Sequence, residues 1–196
     1  MRSDLDLTPV FVTSFGRTTM LERCLASLGR FFADVTVVDN TQDNTYRQLA
    51  PWGKGMVPMD RPYIVCDEDI EIDPGCPDDL PERLLEAVST TAKVGLQIRT
   101  DDVPEVPRYT RSLAWERSLN SRPVKGGVLT AEVDTHFAIY AFPWWPGICG
   151  VRLAAPYQCR HLPWYNLEFT DEERDYYRRT GPGWARSHSA GELCWS

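Results

Sequence analysis

Tyr63-Ile64-Val65-Cys66-Asp67-Glu68-Asp69 is the stretch on which the reading of this chain turns. A short apolar run of this kind suits a buried strand of a parallel sheet. It ends abruptly in three acids. Like charges so close together repel unless a cation or hydrogen bonds compensate. Carboxylates just beyond a buried strand suit a hard cation, Mg²⁺ or Mn²⁺, because oxygen ligands match it. An isolated Asp-x-Asp is also what a solvated acidic turn looks like. Its position at the end of an apolar strand favours the cation.

Two earlier stretches follow the same pattern. Pro9-Val10-Phe11-Val12-Thr13-Ser14 is apolar and closes on small polar residues, and Val35-Thr36-Val37-Val38 closes on Asp39-Asn40. Between them Phe15-Gly16-Arg17 reads as a loop, and Thr19-x-x-Glu22 reads as a capping box that opens a helix. Leu21, Cys24, Leu25, Leu28 and Phe32 recur on one face of that helix. Strand, helix and strand make a βαβ unit, which calls for a parallel sheet. In open α/β sheets ligands bind beyond the carboxyl ends of the strands. Thr13-Ser14, Asp39-Asn40 and Asp67-x-Asp69 are therefore expected around one cleft.

The remainder continues the alternation. A short helix is possible near Tyr46–Leu49. Asp79-x-x-Glu82, with Pro81 in the first turn, starts a helix whose buried face is Leu80, Leu84, Leu85 and Val88. Val94–Ile98 is a further strand, ending near Asp101-Asp102. Residues 109–119 read as a helix with Leu113, Glu116 and Leu119 at turn spacing. Val133 to Phe142 reads as a strand around Asp134-Thr135-His136. Thr170-x-x-Glu173 is a capping box for a charged helix running to about Arg179. The fold class is α/β, with a mostly parallel sheet flanked by helices. Residues 1–196 are expected to form one domain, with 180–196 expected as a loosely ordered tail, or one ordered only over a ligand.

The composition bounds the function. The 196 residues carry a net charge of −7, with 42% hydrophobic and 25% charged residues. A chain of this size and balance buries a core without staples. The acidic balance argues against a nucleic-acid partner, which calls for a basic face. Cys24, Cys66, Cys76, Cys149, Cys159 and Cys194 include no Cys-x-x-Cys pair, which argues against a zinc knuckle. The first eight residues lack the basic start and apolar core of a signal peptide, and no segment approaches the ~20 apolar residues of a membrane span. A cytoplasmic protein with buried free thiols is expected.

Taken in order, Pro-Val-Phe-Val-Thr-Ser-Phe-Gly-Arg, Val-Val-Asp-Asn and Tyr-Ile-Val-Cys-Asp-Glu-Asp-Ile resemble a GT-A-fold glycosyltransferase of the family-2-like type. The likeness is to a compact subgroup of bacterial polysaccharide clusters and some viruses. Val-Asp-Thr-His-Phe-Ala-Ile-Tyr and Ala-Pro-Tyr-x-x-Arg-His-Leu-Pro-Trp-Tyr extend it over about residues 9–167. The resemblance implies a GT-A (Rossmann-like) fold, a nucleotide-sugar donor (a UDP-sugar favoured) and a Mn²⁺ or Mg²⁺ cofactor. It implies a glycan, lipid-linked or protein hydroxyl as acceptor.

Residue by residue, it implies that Thr13 and Phe15 line the base and ribose pocket, beside Ser14 and Asn40. Asp39 would accept a hydrogen bond from the base. Asp67 would touch the ribose or the metal shell, and Asp69 would ligate the metal. His161 would be a second ligand or hold the diphosphate. Arg17 and Arg61 are phosphate candidates. Members often have Tyr-Asn-Arg where this chain has Phe15-Gly16-Arg17. Asp134 is the first candidate for the base that takes the acceptor proton, with Asp101 and Asp102 as alternatives. Trp144, Trp145, Trp164 and Tyr165 could stack on sugar rings or pack in the core. His136 and His188 have no comparable context.

Two other readings stand beside this one. A nucleotidyltransferase acting on sugar phosphates would share the scaffold and carboxylates, but Gly16-Arg17 is sparse for its phosphate loop. A non-catalytic glycan-binding module is disfavoured by the intact Asp67, Asp69, Asp134 and His161.

Overall fold

Side chains along the central strands alternate between two buried layers. A computed structural model describes residues 8–41, 51–133, 136–142 and 149–180, the side chains of 177–180 excepted. In β1 (Val10–Ser14), Val10 and Val12 enter the main core while Phe11 enters a second, smaller one. In β3 (Tyr63–Asp67), Ile64 and Cys66 enter the first, and Tyr63 and Val65 the second. Both faces of these strands are dry, which is why they read as unbroken apolar runs.

The main core is closed by α1 (Thr18–Leu28) and α2 (Leu80–Val88). They contribute Cys24, Leu28, Leu80, Leu84 and Val88. On the other face the Tyr63 and Tyr140 rings stack at 5.3 Å. The Trp52 indole N–H donates to the Tyr63 hydroxyl at 2.8 Å.

The described residues form one nine-stranded sheet. It also contains β2 (Val35–Asp39), β4 (Ile70–Ile72), β5 (Lys93–Ile98), β6 (Val124–Lys125), β7 (Val128–Thr130), β8 (Phe137–Tyr140) and β9 (Val151–His161). Its order is β2-β1-β3-β8-β5-β9-β7-β6, with β4 paired to β9. The expected α/β class holds, but the sheet is mixed and not mostly parallel. β1 pairs parallel with β2 and β3, and β5 with β9. β8 enters antiparallel between β3 and β5, and β7 and β4 both run antiparallel to β9.

Local expectations fared unevenly. α3 (Thr110–Asn120) buries Leu113, Glu116 and Leu119, as their spacing predicts. α4 (Asp171–Thr180) opens with the expected capping box: the Thr170 N–H donates to Glu173 Oε2 at 2.9 Å and the Glu173 N–H to Thr170 Oγ1 at 3.2 Å. The box at Thr19 and Glu22 is absent. α1 begins at Thr18 without a side-chain cap of its own. The Thr19 N–H donates instead to Glu172 Oε2, at 3.2 Å, so a distant carboxylate does the capping.

The strand expected from Val133 to Phe142 is shorter, Phe137–Tyr140. Cys24, Cys66, Cys76 and Cys159 are buried free thiols, while Cys149 is exposed, contrary to expectation. The helix expected near 46–49 lies outside the described residues, as do residues 181–196 of the tail expected from 180, whereas Thr180 itself belongs to α4. Among the described residues no helix is long and apolar enough to cross a membrane.

Gly95, in the middle of β5, marks a close approach. A Cβ there would meet Val133 Cγ1 at 2.6 Å and the Phe137 carbonyl at 3.1 Å. Gly95→Ala is expected to lower stability by about 1–3 kcal/mol through this overpacking. Urea unfolding checks it, and an unchanged midpoint would show that Val133 does not rest on this glycine.

Candidate functional site

The register of the three parallel strands brings their polar ends side by side. Ser14 lies opposite Asp39 across β1 and β2, and Thr13 opposite Asp67 across β1 and β3. The Thr13 hydroxyl donates to Asp67 Oδ1 at 2.8 Å. Asp39 is exposed, and hydrogen bonds from Thr41, side chain and then backbone N–H, hold its carboxyl below the usual range. Asn40 is buried, with Oδ1 accepting from Lys54 Nζ at 3.0 Å and Nδ2 unpartnered.

The middle residue of the acidic triplet is the anchor. Glu68 is fully buried. Its Oε2 accepts from Ser14 Oγ at 2.8 Å, from the Phe15 N–H at 2.9 Å and from the Arg17 N–H at 3.4 Å. Its Oε1 accepts from Arg17 Nε at 2.6 Å. A loop that wraps a carboxylate so closely needs an unusual turn, and Gly16 supplies it with a φ of 90°. The glycine in Phe15-Gly16-Arg17 thus serves the backbone.

Asp69 is reached from the other side. Arg17 Nη1 donates to its Oδ2 at 2.8 Å, and His161 Nε2 lies 3.4 Å from the same oxygen. His161 is delivered by the antiparallel pairing of β4 with β9, where it stands opposite Ile70. The Leu162 N–H donating to the Asp69 carbonyl at 2.8 Å fixes the pair further.

Burial by itself would raise the Asp69 carboxyl. Arg17 first, then His161 and His136, outweigh it and hold the carboxyl far below the usual range. Burial likewise works against the Arg17 charge, but Asp69 and Glu68 more than restore it and push its pKa up. The Tyr176 ring of α4 covers the guanidinium, its centroid 4.3 Å from Cζ, and meets the Phe15 ring edge-on at 5.8 Å.

Several expected residues are placed elsewhere. Arg61 is exposed and precedes β3, at the end away from Asp67. Trp164 is buried in the core with its ring 4.8 Å from that of His161. Tyr165 donates to Asp102 Oδ1 at 2.6 Å. Asp102 also meets Arg160 at 3.0 Å, and Asp101 meets Arg99 at 2.9 Å, so both carboxylates are engaged in ion pairs. Asp134, Trp144 and Trp145 lie outside the described residues.

Their neighbours are anchored: Lys93 Nζ donates to the Val133 carbonyl, and the Asp67 N–H donates to the His136 carbonyl at 2.9 Å. His136, passed over in the sequence, lies edge-on to His161 at 5.4 Å. No sequence signal marked it beyond its place after Asp134-Thr135. His136 also lines a small cavity, with Leu96, Ile98, Val133, Phe137 and Arg152. Arg152 is tied there to the buried Glu116 carboxylate.

Among the described residues, no group of three or more His, Cys, Asp or Glu side chains could hold a metal unaided. Asp69 and His161 together offer one carboxylate oxygen and one imidazole nitrogen. An ion of the Mg²⁺ or Mn²⁺ type held there would have to take its remaining ligands from water or from a bound molecule. A scan against protein-family models gave no match, and a search of the curated proteins gave none.

Asp69→Asn is expected to cost about 1–3 kcal/mol at pH 7, the scale of hydrogen bonds to charged groups. Because its folded pKa is depressed, this stabilisation is present above the ordinary value of ~3.9 and lost as pH falls below it. Urea unfolding of both proteins from pH 7 to pH 3 should show their stabilities converging. A constant gap would mean that the carboxylate charge is not the source.

Proposed function

We propose that this chain is a GT-A-type glycosyltransferase that moves a sugar from a nucleotide diphosphate sugar, with a UDP-sugar favoured, to a hydroxyl acceptor. The observation that carries the reading is the alignment of Thr13, Ser14, Asp39 and Asp67 across three neighbouring strand ends, beside the Asp69–His161 pair. Such a row, beyond the carboxyl ends of parallel strands, is where a nucleotide lies in α/β folds. The resemblance of the ordered motifs supplies the reaction class; fold alone would not.

In this reading Asp39 and Asn40 face the base, and Thr13 and Asp67 the ribose. Transfer breaks the bond between the anomeric carbon and the diphosphate, so negative charge grows on the leaving group. A divalent cation bound at Asp69 and His161 would supply Lewis-acid stabilisation of that charge. Asp134 is the proposed base for the acceptor proton. Asp101 and Asp102 are weaker choices, because each is held by an arginine. The acceptor remains a glycan, lipid-linked or protein hydroxyl, with Trp144 and Trp145 as stacking surfaces. Tyr165 and Trp164 are less suited, being spent on Asp102 and on the core.

A thermal-shift screen of nucleotide sugars with and without Mn²⁺ tests this. A ligand at ~100 times its dissociation constant adds ~2.7 kcal/mol of stability, which is readily seen. UDP-sugars are expected to stabilise the protein only with the cation, and Asp69→Asn to lose that effect. Asp134→Asn should keep the shift while losing transfer. Absence of a shift with any nucleotide sugar would defeat the proposal.

A further inference from the structure

Arg17 is poorly placed to serve as a phosphate clamp. Its Nε and Nη1 are committed to Glu68 and Asp69, at 2.6 and 2.8 Å. Tyr176 closes its outer face, and only 3% of the residue is exposed. Glu68 cannot follow Arg17 outward, since Ser14 and the N–H groups of Phe15 and Arg17 hold its other oxygen. Swinging the guanidinium toward a diphosphate would strand the Glu68 carboxylate in the interior. On the Asp69 side, the oxygen that meets Arg17 at 2.8 Å also has His161 Nε2 at 3.4 Å.

We propose that Arg17 is a positioning residue that acts as the resting counter-charge of Asp69, so that a divalent cation is taken up together with a diphosphate and not alone. The inference rests on the nucleotide-sugar reading above. A free cation that approaches Asp69 meets a fixed guanidinium on the same oxygen, and in a dry site that repulsion is poorly screened. It also finds only one carboxylate and one imidazole to replace its water. A diphosphate removes both obstacles: its oxygens complete the coordination, and its charge balances cation and guanidinium together. Arg17 touches no substrate in this scheme and acts through Asp69. Glu68 keeps the guanidinium from leaving, and Tyr176 keeps water from it.

The test is a Mn²⁺ titration of the full chain followed by electron paramagnetic resonance, with and without UDP. Wild type is expected to bind Mn²⁺ about tenfold or more tighter with UDP, and by linkage UDP tighter with Mn²⁺ by the same factor. The neutral pair Arg17→Gln/Glu68→Gln should bind Mn²⁺ alone about tenfold tighter than wild type, so that the gain from UDP shrinks. Arg17→Lys is the second variant, should the pair fail to fold. One ammonium cannot span two carboxylates as the guanidinium fork does, so free-cation affinity should rise there too. Free-cation affinity no higher than wild type in the folded variants overturns the proposal. If UDP changes Mn²⁺ binding in none of the proteins, the nucleotide reading falls. The role of Arg17 is still decided by the arm with Mn²⁺ alone.

Discussion

The buried carboxylate of Glu68 is the constraint around which the rest of the site is arranged. A charge with no exposure must find its compensation inside the protein. Here that compensation comes from one short loop. Ser14, Phe15 and Arg17 supply two backbone N–H groups, a hydroxyl and a guanidinium. The loop between β1 and α1 is thereby welded to the end of β3, and Asp67 and Asp69 on either side of Glu68 inherit its position. An acidic triplet that looks like three equivalent charges is divided by burial into two kinds. One acid holds the chain together, and the two that flank it carry the hydrogen-bonding surface.

Much of the fold was legible from periodicity. The runs before Ser14, Asp39 and Asp67 are strands, and α2 and α3 bury the residues their spacing names, Leu85 only in part. Helix α1 ends at Leu28, before Phe32, and buries Met20 and Ser27 beside Cys24 and Leu28, while Leu21 and Leu25 are partly covered. What escaped were the short strands β4, β6 and β7 and, above all, the long strand β9. Val151–His161 contains Ala154-Ala155-Pro156 and shows no clean alternation. Its register with β5 jumps between Leu96 and Gln97, whose partners are Leu153 and Gln158, and in the skipped stretch the Ala155 N–H donates to Gln97 Oε1 at 2.7 Å. Pattern reading presumes a regular ladder, and this strand is not regular. Because β8, β7 and β4 are antiparallel neighbours, the parallel character inferred from the first βαβ unit did not extend across the sheet.

The site was legible by residue type and not by partner. Asp69 and His161 do come together, but nothing in their spacing showed that Arg17 would share the same oxygen. Long-range charge compensation leaves no periodic trace: Arg17 and Asp69 are far apart in sequence, and their meeting depends on the loop turned by Gly16. Trp164 illustrates the converse. Its aromatic context suggested a surface for sugars, yet its ring is used to back His161 from within the core.

The contact between Glu172 and Thr19 has a consequence for how the molecule comes into being. It joins residues 153 positions apart, and the Tyr176 cover over Arg17 spans nearly the same distance. Contacts of such separation are reached only after the entropy of closing a long loop has been met. During synthesis the turn between β3 and β4 that carries Glu68 and Asp69 emerges well before β9 and α4. Glu68 can meet its loop early, whereas His161 beside Asp69 and the Tyr176 cover over Arg17 come only with those later elements. The buried charges are covered by a segment far along the chain from them, and an intact α4 marks a molecule in which Arg17 has its cover.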